Sequence, residues 1–164
     1  MNSTLSKPKI LVAYFSATGI TARAAEKVAA VTGGELYAIL PVEPYTDADL
    51  DWTDKQSRSS VEMGDPHARP AIKVSKRDIA DYDMIFIGYP IWWDLAPREI
   101  NTFMESYDLK GKSVIAFATS GGSSIDNSVK ALKREYPALN WKEGRLLNQP
   151  HEKMIRSWID KLGI

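Results

Sequence analysis

The stretch Ile10-Leu11-Val12-Ala13-Tyr14-Phe15-Ser16-Ala17-Thr18-Gly19-Ile20-Thr21 decides the fold. Its first half is an apolar run that suits a buried strand. Its second half is a hydroxyl-and-glycine turn that opens a helix, because Ile20, Ala24, Val28 and Val31 recur at helical spacing with Arg23, Glu26 and Lys27 outside the stripe. A strand, a tight turn and a helix start together make an anion site. The first helical N–H groups have no partner inside the helix, and the helix dipole adds partial positive charge there. Gly19 lets backbone approach an anion closely, and Ser16, Thr18 and Thr21 add hydroxyl donors. No lysine or arginine lies between Lys9 and Arg23, so any phosphate here would be held mainly by neutral donors. The turn fits neither the Gly-Lys-Ser/Thr phosphate loop nor the three-glycine dinucleotide fingerprint. A plainer reading also stands: Ser16 or Thr18 caps the helix and nothing more.

Outward from this stretch, strands and helices alternate. Gly33-Gly34 ends the first helix, and Glu35 to Leu40 reads as a second strand stopped by Pro41 and Pro44. Asp47 to Met63 is expected to form a helix with few apolar points, and its acidic residues mark a solvated face. Met84 to Tyr89 is almost uniformly apolar, as in a strand covered on both sides. It runs into Pro90-Ile91-Trp92-Trp93-Asp94-Leu95-Ala96-Pro97, where Pro97 fits the first turn of another helix. Ser113 to Ala118 is the fourth strand, leading into Thr119-Ser120-Gly121-Gly122-Ser123-Ser124 and a further helix. A short last strand is expected over Gly144 to Leu147, and a helix from Pro150 to Leu162 closes the chain. The economical arrangement is one α/β domain spanning residues 1–164, with residues 1–8 as an N-terminal tail. Its doubly wound, five-stranded parallel sheet has the order 2-1-3-4-5, with helices on both faces.

Composition narrows the function. Lysine plus arginine equals aspartate plus glutamate at 21 each, which gives no electrostatic footprint for nucleic acid. Cysteine is absent, which removes disulfides, thiolate nucleophiles and thiolate metal sites. The two histidines, His67 and His151, are far apart, so no metal site is expected, and no G-x-S-x-G elbow appears. No apolar run reaches membrane-spanning length and the first residues lack a signal-peptide core, so a soluble cytoplasmic protein without membrane partners is expected. Side chains so poorly equipped for redox or group-transfer chemistry point to a bound cofactor.

In the order 2-1-3-4-5 the topological switch lies between strands 1 and 3, and ligands bind at the carboxyl ends of the strands there. The loops Ser16 to Thr21, Pro90 to Leu95 and Thr119 to Ser124 all emerge at that end. The first offers a phosphate cradle. The second offers Trp92 and Trp93 beside backbone fixed by Pro90, and adjacent residues of an extended loop do not both face one surface, so one indole is expected on a ligand. The third offers Gly121 and Gly122 among hydroxyls, where backbone can lie against a flat ring. A planar aromatic ring bearing a phosphate fits this set, and flavin mononucleotide (FMN) is the natural candidate. The expected contacts are Ser16, Ala17, Thr18, Gly19, Ile20 and Thr21 with the phosphate, and Pro90, Ile91, Trp92, Trp93, Asp94, Thr119, Ser120, Gly121, Gly122 and Ser123 around the ring. No side chain is assigned a catalytic role. A core position for one tryptophan and a simple helix cap at Ser120 to Ser123 remain the plainer alternatives.

These same residues carry a resemblance. Ser16-Ala17-Thr18-Gly19-Ile20-Thr21, Tyr89-Pro90-Ile91-Trp92-Trp93 followed by Ala96-Pro97, Thr119-Ser120-Gly121-Gly122, and Trp141-Lys142-Glu143-Gly144-Arg145-Leu146-Leu147 resemble a short-chain flavodoxin. The last two stretches are typical of one bacterial flavodoxin-like subgroup, and the likeness runs from the first strand through the last helix. It implies a flavodoxin-like fold, bound FMN and electron transfer with a redox partner protein or a small-molecule acceptor. Three departures have consequences. Flavodoxins proper commonly carry a polar residue where Ile20 stands, so a side-chain contact to phosphate is missing here. They are also usually strongly acidic, which steers them to basic partners, whereas this chain is balanced. The glycine-free Pro90 to Leu95 loop should resist positive φ, so the one-electron-reduced flavin is expected to be only weakly stabilised. An NAD(P)H-dependent reductase of quinones or similar acceptors is the alternative to an electron carrier. A cofactor-less interaction module is a third reading.

Overall fold

A computed structural model describes residues 8–74, 78–148 and 151–163. The expected N-terminal tail therefore lies almost wholly outside the described residues, as does Pro150, the expected start of the last helix. The strands are β1 (Ile10–Tyr14), β2 (Glu35–Ala38), β3 (Met84–Pro90), β4 (Ser113–Thr119), β5 (Asn140–Trp141) and β6 (Arg145–Leu146). The helices are α1 (Ile20–Thr32), α2 (Arg58–Gly64), α3 (Arg98–Ser106), α4 (Asp126–Glu135) and α5 (Glu152–Lys161).

All strand pairs in the sheet are parallel, in the order β2-β1-β3-β4-β5, with β6 also pairing β4. This is the 2-1-3-4-5 order expected from the sequence. The register is continuous through the centre, from Ile10 opposite Met84 to Tyr14 opposite Gly88, and from Met84 opposite Ser113 to Pro90 opposite Thr119. Side chains alternate across each strand, so the apolar runs split between two cores. Leu11, Ala13, Ile85, Ile87 and Tyr89 face Ile100 and Phe103 of α3 and Val129 and Leu132 of α4. Ile10, Val12, Phe86 and Phe117 face Ala24 and Val28 of α1 and Ile155 and Trp158 of α5. Gly88 is required by this second layer, because a Cβ there would stand 2.2 Å from the Phe117 ring.

Three element boundaries differ from expectation. The helix foreseen over Asp47 to Met63 is confined to α2, Arg58–Gly64. Upstream of it, side chains take over the backbone's hydrogen bonds: Thr46 N–H donates to Asp49 and Asp49 N–H to Thr46 Oγ1, while Thr53 N–H donates to Asp51 and Gln56 N–H to Asp54. Such local bonds compete directly with the helix. The second strand ends at Ala38 rather than Leu40, and beyond it Pro41 bridges Ile72 in antiparallel fashion. The last strand is two short pieces, since Asn140–Trp141 pairs the start of β4 and Arg145–Leu146 its end.

Candidate functional site

The loop after β1 is built on Ser16. Its Oγ accepts from Gly19 N–H at 3.0 Å and from Ala22 N–H at 3.2 Å, so it caps α1 from inside the turn. Gly19 has φ 96°, a left-handed conformation that glycine adopts without penalty. Among the described residues nothing accepts from the backbone N–H of Thr18, Ile20 or Thr21, and Thr18 and the Ile20 side chain are exposed. The Thr21 hydroxyl points the other way. It is buried and meets the Thr119 hydroxyl at 2.8 Å. Two of the expected hydroxyl contacts, Thr21 and Thr119, are thus engaged with each other, and Ser16 is engaged as a cap. Among the described residues, the donors left open on this loop are backbone N–H groups and the exposed Thr18 hydroxyl.

The loop after β3 folds into a two-residue hairpin. Trp92 N–H donates to Leu95 O and Leu95 N–H to Trp92 O, each at 2.9 Å. The central residues, Trp93 and Asp94, have φ 49° and 65°. Successive positive φ values define a mirror-image turn that favours glycine and asparagine. The expectation that a glycine-free loop stays out of this region therefore fails, since hairpin closure and the packing of Trp92 hold it there. Trp92 turns inward, edge-on to Phe15 at 5.6 Å and to Tyr45 at 5.5 Å between ring centroids. Trp93 turns outward and is 47% exposed. The two indoles face different surroundings, as their adjacency required. Asp94 accepts from the Asn127 amide of α4.

The loop after β4 is pinned at both ends. Ser120 N–H donates to Asn148 Oδ1 at 2.7 Å, Ser120 Oγ donates to Ser123 O at 2.6 Å, and Gly122 N–H donates back to Ser120 Oγ at 3.1 Å. Gly121 and Gly122 lie outside the left-handed region, and a Cβ on either would meet no atom of the described residues within 4 Å beyond its chain neighbours. Neither the backbone conformation nor the packing of this chain calls for glycine there. Among the described residues the space beside them is open.

These loops form one unit. Ile91 N–H donates to Thr119 O at 2.9 Å, Thr21 bonds Thr119, and Phe15 packs on Trp92. All sit at the carboxyl ends of β1, β3 and β4. There the chain leaves β1 for the α1–α5 layer and β3 for the α3–α4 layer, which makes the crevice of a doubly wound sheet.

One neighbouring group has no counterpart in the sequence reading. Tyr45, from the connection between β2 and α2, touches Phe15 and Trp92 with its ring, and its hydroxyl lies against the carboxylates of both Glu62 and Glu99. The Arg58 guanidinium stacks on the Tyr45 ring at 3.8 Å and binds Glu62 at 3.0 Å. Glu99 is fully buried, and burial pushes its carboxyl up to about 7. Local sequence does not mark Tyr45 out, since the same connection holds a second aromatic residue, Trp52, that is exposed.

With the loops in place, the likeness to known proteins becomes specific. Residues 9–162 match the family described as flavodoxin. The chain is a member of the flavodoxin family. A candidate flavoprotein from Bacteroides eggerthii is 68% identical, covering 96% of this chain and 99% of that one, with a TM-score of 0.94. A second, from Bacteroides uniformis, is 57% identical, covering 94% and 99%, with a TM-score of 0.91. A flavoprotein from Lactobacillus acidophilus, solved in complex with FMN, is 25% identical over 96% of this flavodoxin-family chain and 99% of its own, with a TM-score of 0.72. No curated protein matches the chain. Among the described residues, no helix of this flavodoxin-family member is long and apolar enough to cross a membrane.

Proposed function

We propose that the three loops bind FMN and that the protein carries electrons between a donor and an acceptor. The observation that carries this reading is the coincidence, in one crevice, of three features suited to three parts of that molecule. Free backbone N–H groups at the start of α1 suit a phosphate, and the Arg23 guanidinium stands beside the same turn, 3.9 Å from where a Gly19 Cβ would lie. Gly121 and Gly122 leave room for a flat ring against backbone. The exposed indole of Trp93 offers stacking area at small entropic cost. The FMN complex of the Lactobacillus acidophilus relative supports the choice of ligand.

When bound, the flavin supplies the redox chemistry, and the chain binds, orients and shields it. Ser16 holds the turn that presents the N–H groups of Thr18, Ile20 and Thr21, and Ile20 brings no side-chain donor. Pro90 to Asp94 and Thr119 to Ser123 frame the ring, with Thr119 acting through its bond to Thr21. Domain organisation as a single unit over 1–164 and a cytoplasmic location belong to the same reading.

The test is a visible spectrum of the purified protein, followed by anaerobic titration with dithionite and then NADPH. A flavin spectrum that dithionite bleaches and NADPH leaves untouched is the expected result. Fast bleaching by NADPH would replace the carrier with a reductase. No flavin retained by the protein after incubation with FMN and gel filtration would overturn the cofactor itself.

A further inference from the structure

The Tyr45 hydroxyl has one proton and two carboxylate neighbours, Glu62 Oε1 and Glu99 Oε2. One phenol proton cannot serve both contacts, so the second contact needs a proton from a carboxyl group. Glu62 faces Arg58 through its other oxygen, at 3.0 Å, and is the natural anion of the pair. Among the described residues no cation is bonded to Glu99 and its Oε1, buried with the rest of the 0% exposed side chain, has no hydrogen-bond partner. We propose that Glu99 is a neutral acid donating to Tyr45, that Tyr45 donates to the Glu62 carboxylate, and that this chain is a proton relay abutting the Trp92 wall of the site.

The step balances without any electron transfer. As the Glu99 O–H bond breaks, its proton joins Tyr45 Oη; as the phenol O–H bond breaks, that proton joins Glu62. One proton has then moved from the buried end to the partly exposed side chain of Glu62 on α2. The titratable groups facing Glu99 are Tyr45 from the β2–α2 connection, and Glu62 and Arg58 from α2. Burial, the largest influence, and the Glu62 charge favour the neutral acid, while hydrogen bonding from the Tyr45 hydroxyl and the Glu99 backbone N–H, and the Arg58 charge, oppose them. Because Tyr45 packs on Phe15 and Trp92, the state of this relay is felt at the loop site. In particular, negative charge gained there raises the proton affinity of Glu99. That last link rests on FMN being the ligand; the location of the proton does not.

The experiment is a pH titration of the cofactor-free protein carrying 13C-carboxyl glutamate, read by NMR. One glutamate carboxyl should titrate near pH 7 and be missing from Glu99→Gln, whose amide keeps a donor toward Tyr45. In Tyr45→Phe, or in Glu62→Gln should that variant not fold, the same inflection should move. Titration of every carboxyl below about pH 5, the ordinary range, would overturn the relay. With FMN added, the slope of midpoint potential against pH should break near the same inflection in the parent and not in Glu99→Gln. An unbroken slope in the parent would overturn the coupling alone. Failure to bind FMN would overturn the cofactor reading while the carboxyl titration still decides where the proton sits.

Discussion

The hydroxyls of Thr21 and Thr119, 98 positions apart in sequence, meet at 2.8 Å in the interior and tie the start of α1 to the end of β4. Thr21→Val keeps the shape and strands the Thr119 hydroxyl without its partner. The expected loss is about 1–3 kcal/mol in urea denaturation. Thr21→Val with Thr119→Val removes both polar groups and should recover part of it, so the double-mutant cycle should be clearly non-additive.

Trp93 sits at φ 49°, a region that costs a bulky L residue roughly 1–2 kcal/mol. Trp93→Gly should therefore leave cofactor-free stability unchanged or raise it by about 1 kcal/mol. The same change removes the exposed indole, and FMN affinity should fall about tenfold, or about 1.4 kcal/mol. Thermal melts and FMN titrations on one preparation check both halves.

Gly121→Ala separates binding from folding in another way. The left-handed region is not involved, and beyond the chain neighbours no atom of the described residues stands within 4 Å of the new Cβ. Replacing glycine at a compatible position stabilises by about 0.4–1 kcal/mol through the unfolded chain. The cofactor-free protein should thus gain slightly in denaturant midpoint, while FMN binding weakens because the methyl occupies the ring's space.

Glu99 makes stability depend on pH. Its carboxyl is raised to about 7 in the folded protein from an ordinary value of 4.5. A raised acid binds more protons folded than unfolded between those values, so stability falls as pH rises through the window and levels off above it. The expected loss is about 3 kcal/mol between pH 4.5 and 8. Urea midpoints across that range should decline in the parent and stay nearly flat in Glu99→Gln.

The parts of this fold that were legible in sequence are those governed by local pattern. Uniform apolar runs at Ile10–Phe15, Met84–Tyr89 and Ser113–Ala118 marked the central strands, since a strand covered on both faces leaves few alternatives. The sheet order then brought the three loops together. The failures came where side chains, not periodicity, set the backbone. Aspartate and threonine bonds replaced a helix over Asp47 to Gln56, and closure between Trp92 and Leu95 imposed positive φ on residues with no glycine. The Tyr45–Glu62–Glu99 cluster depends on three segments meeting, which no local pattern encodes.

The outer strand beside β4 is broken into Asn140–Trp141 and Arg145–Leu146, each two residues long. A sheet margin of full length exposes a row of free amides and carbonyls that can recruit a strand from another molecule. Here that margin is interrupted at residues 142–144, where Gly144 lies so close to Ala116 O that a Cβ would stand 2.8 Å away. An incoming chain would find no uninterrupted ladder to extend. The break therefore leaves this side of a very apolar parallel sheet a poor template for pairing with another chain.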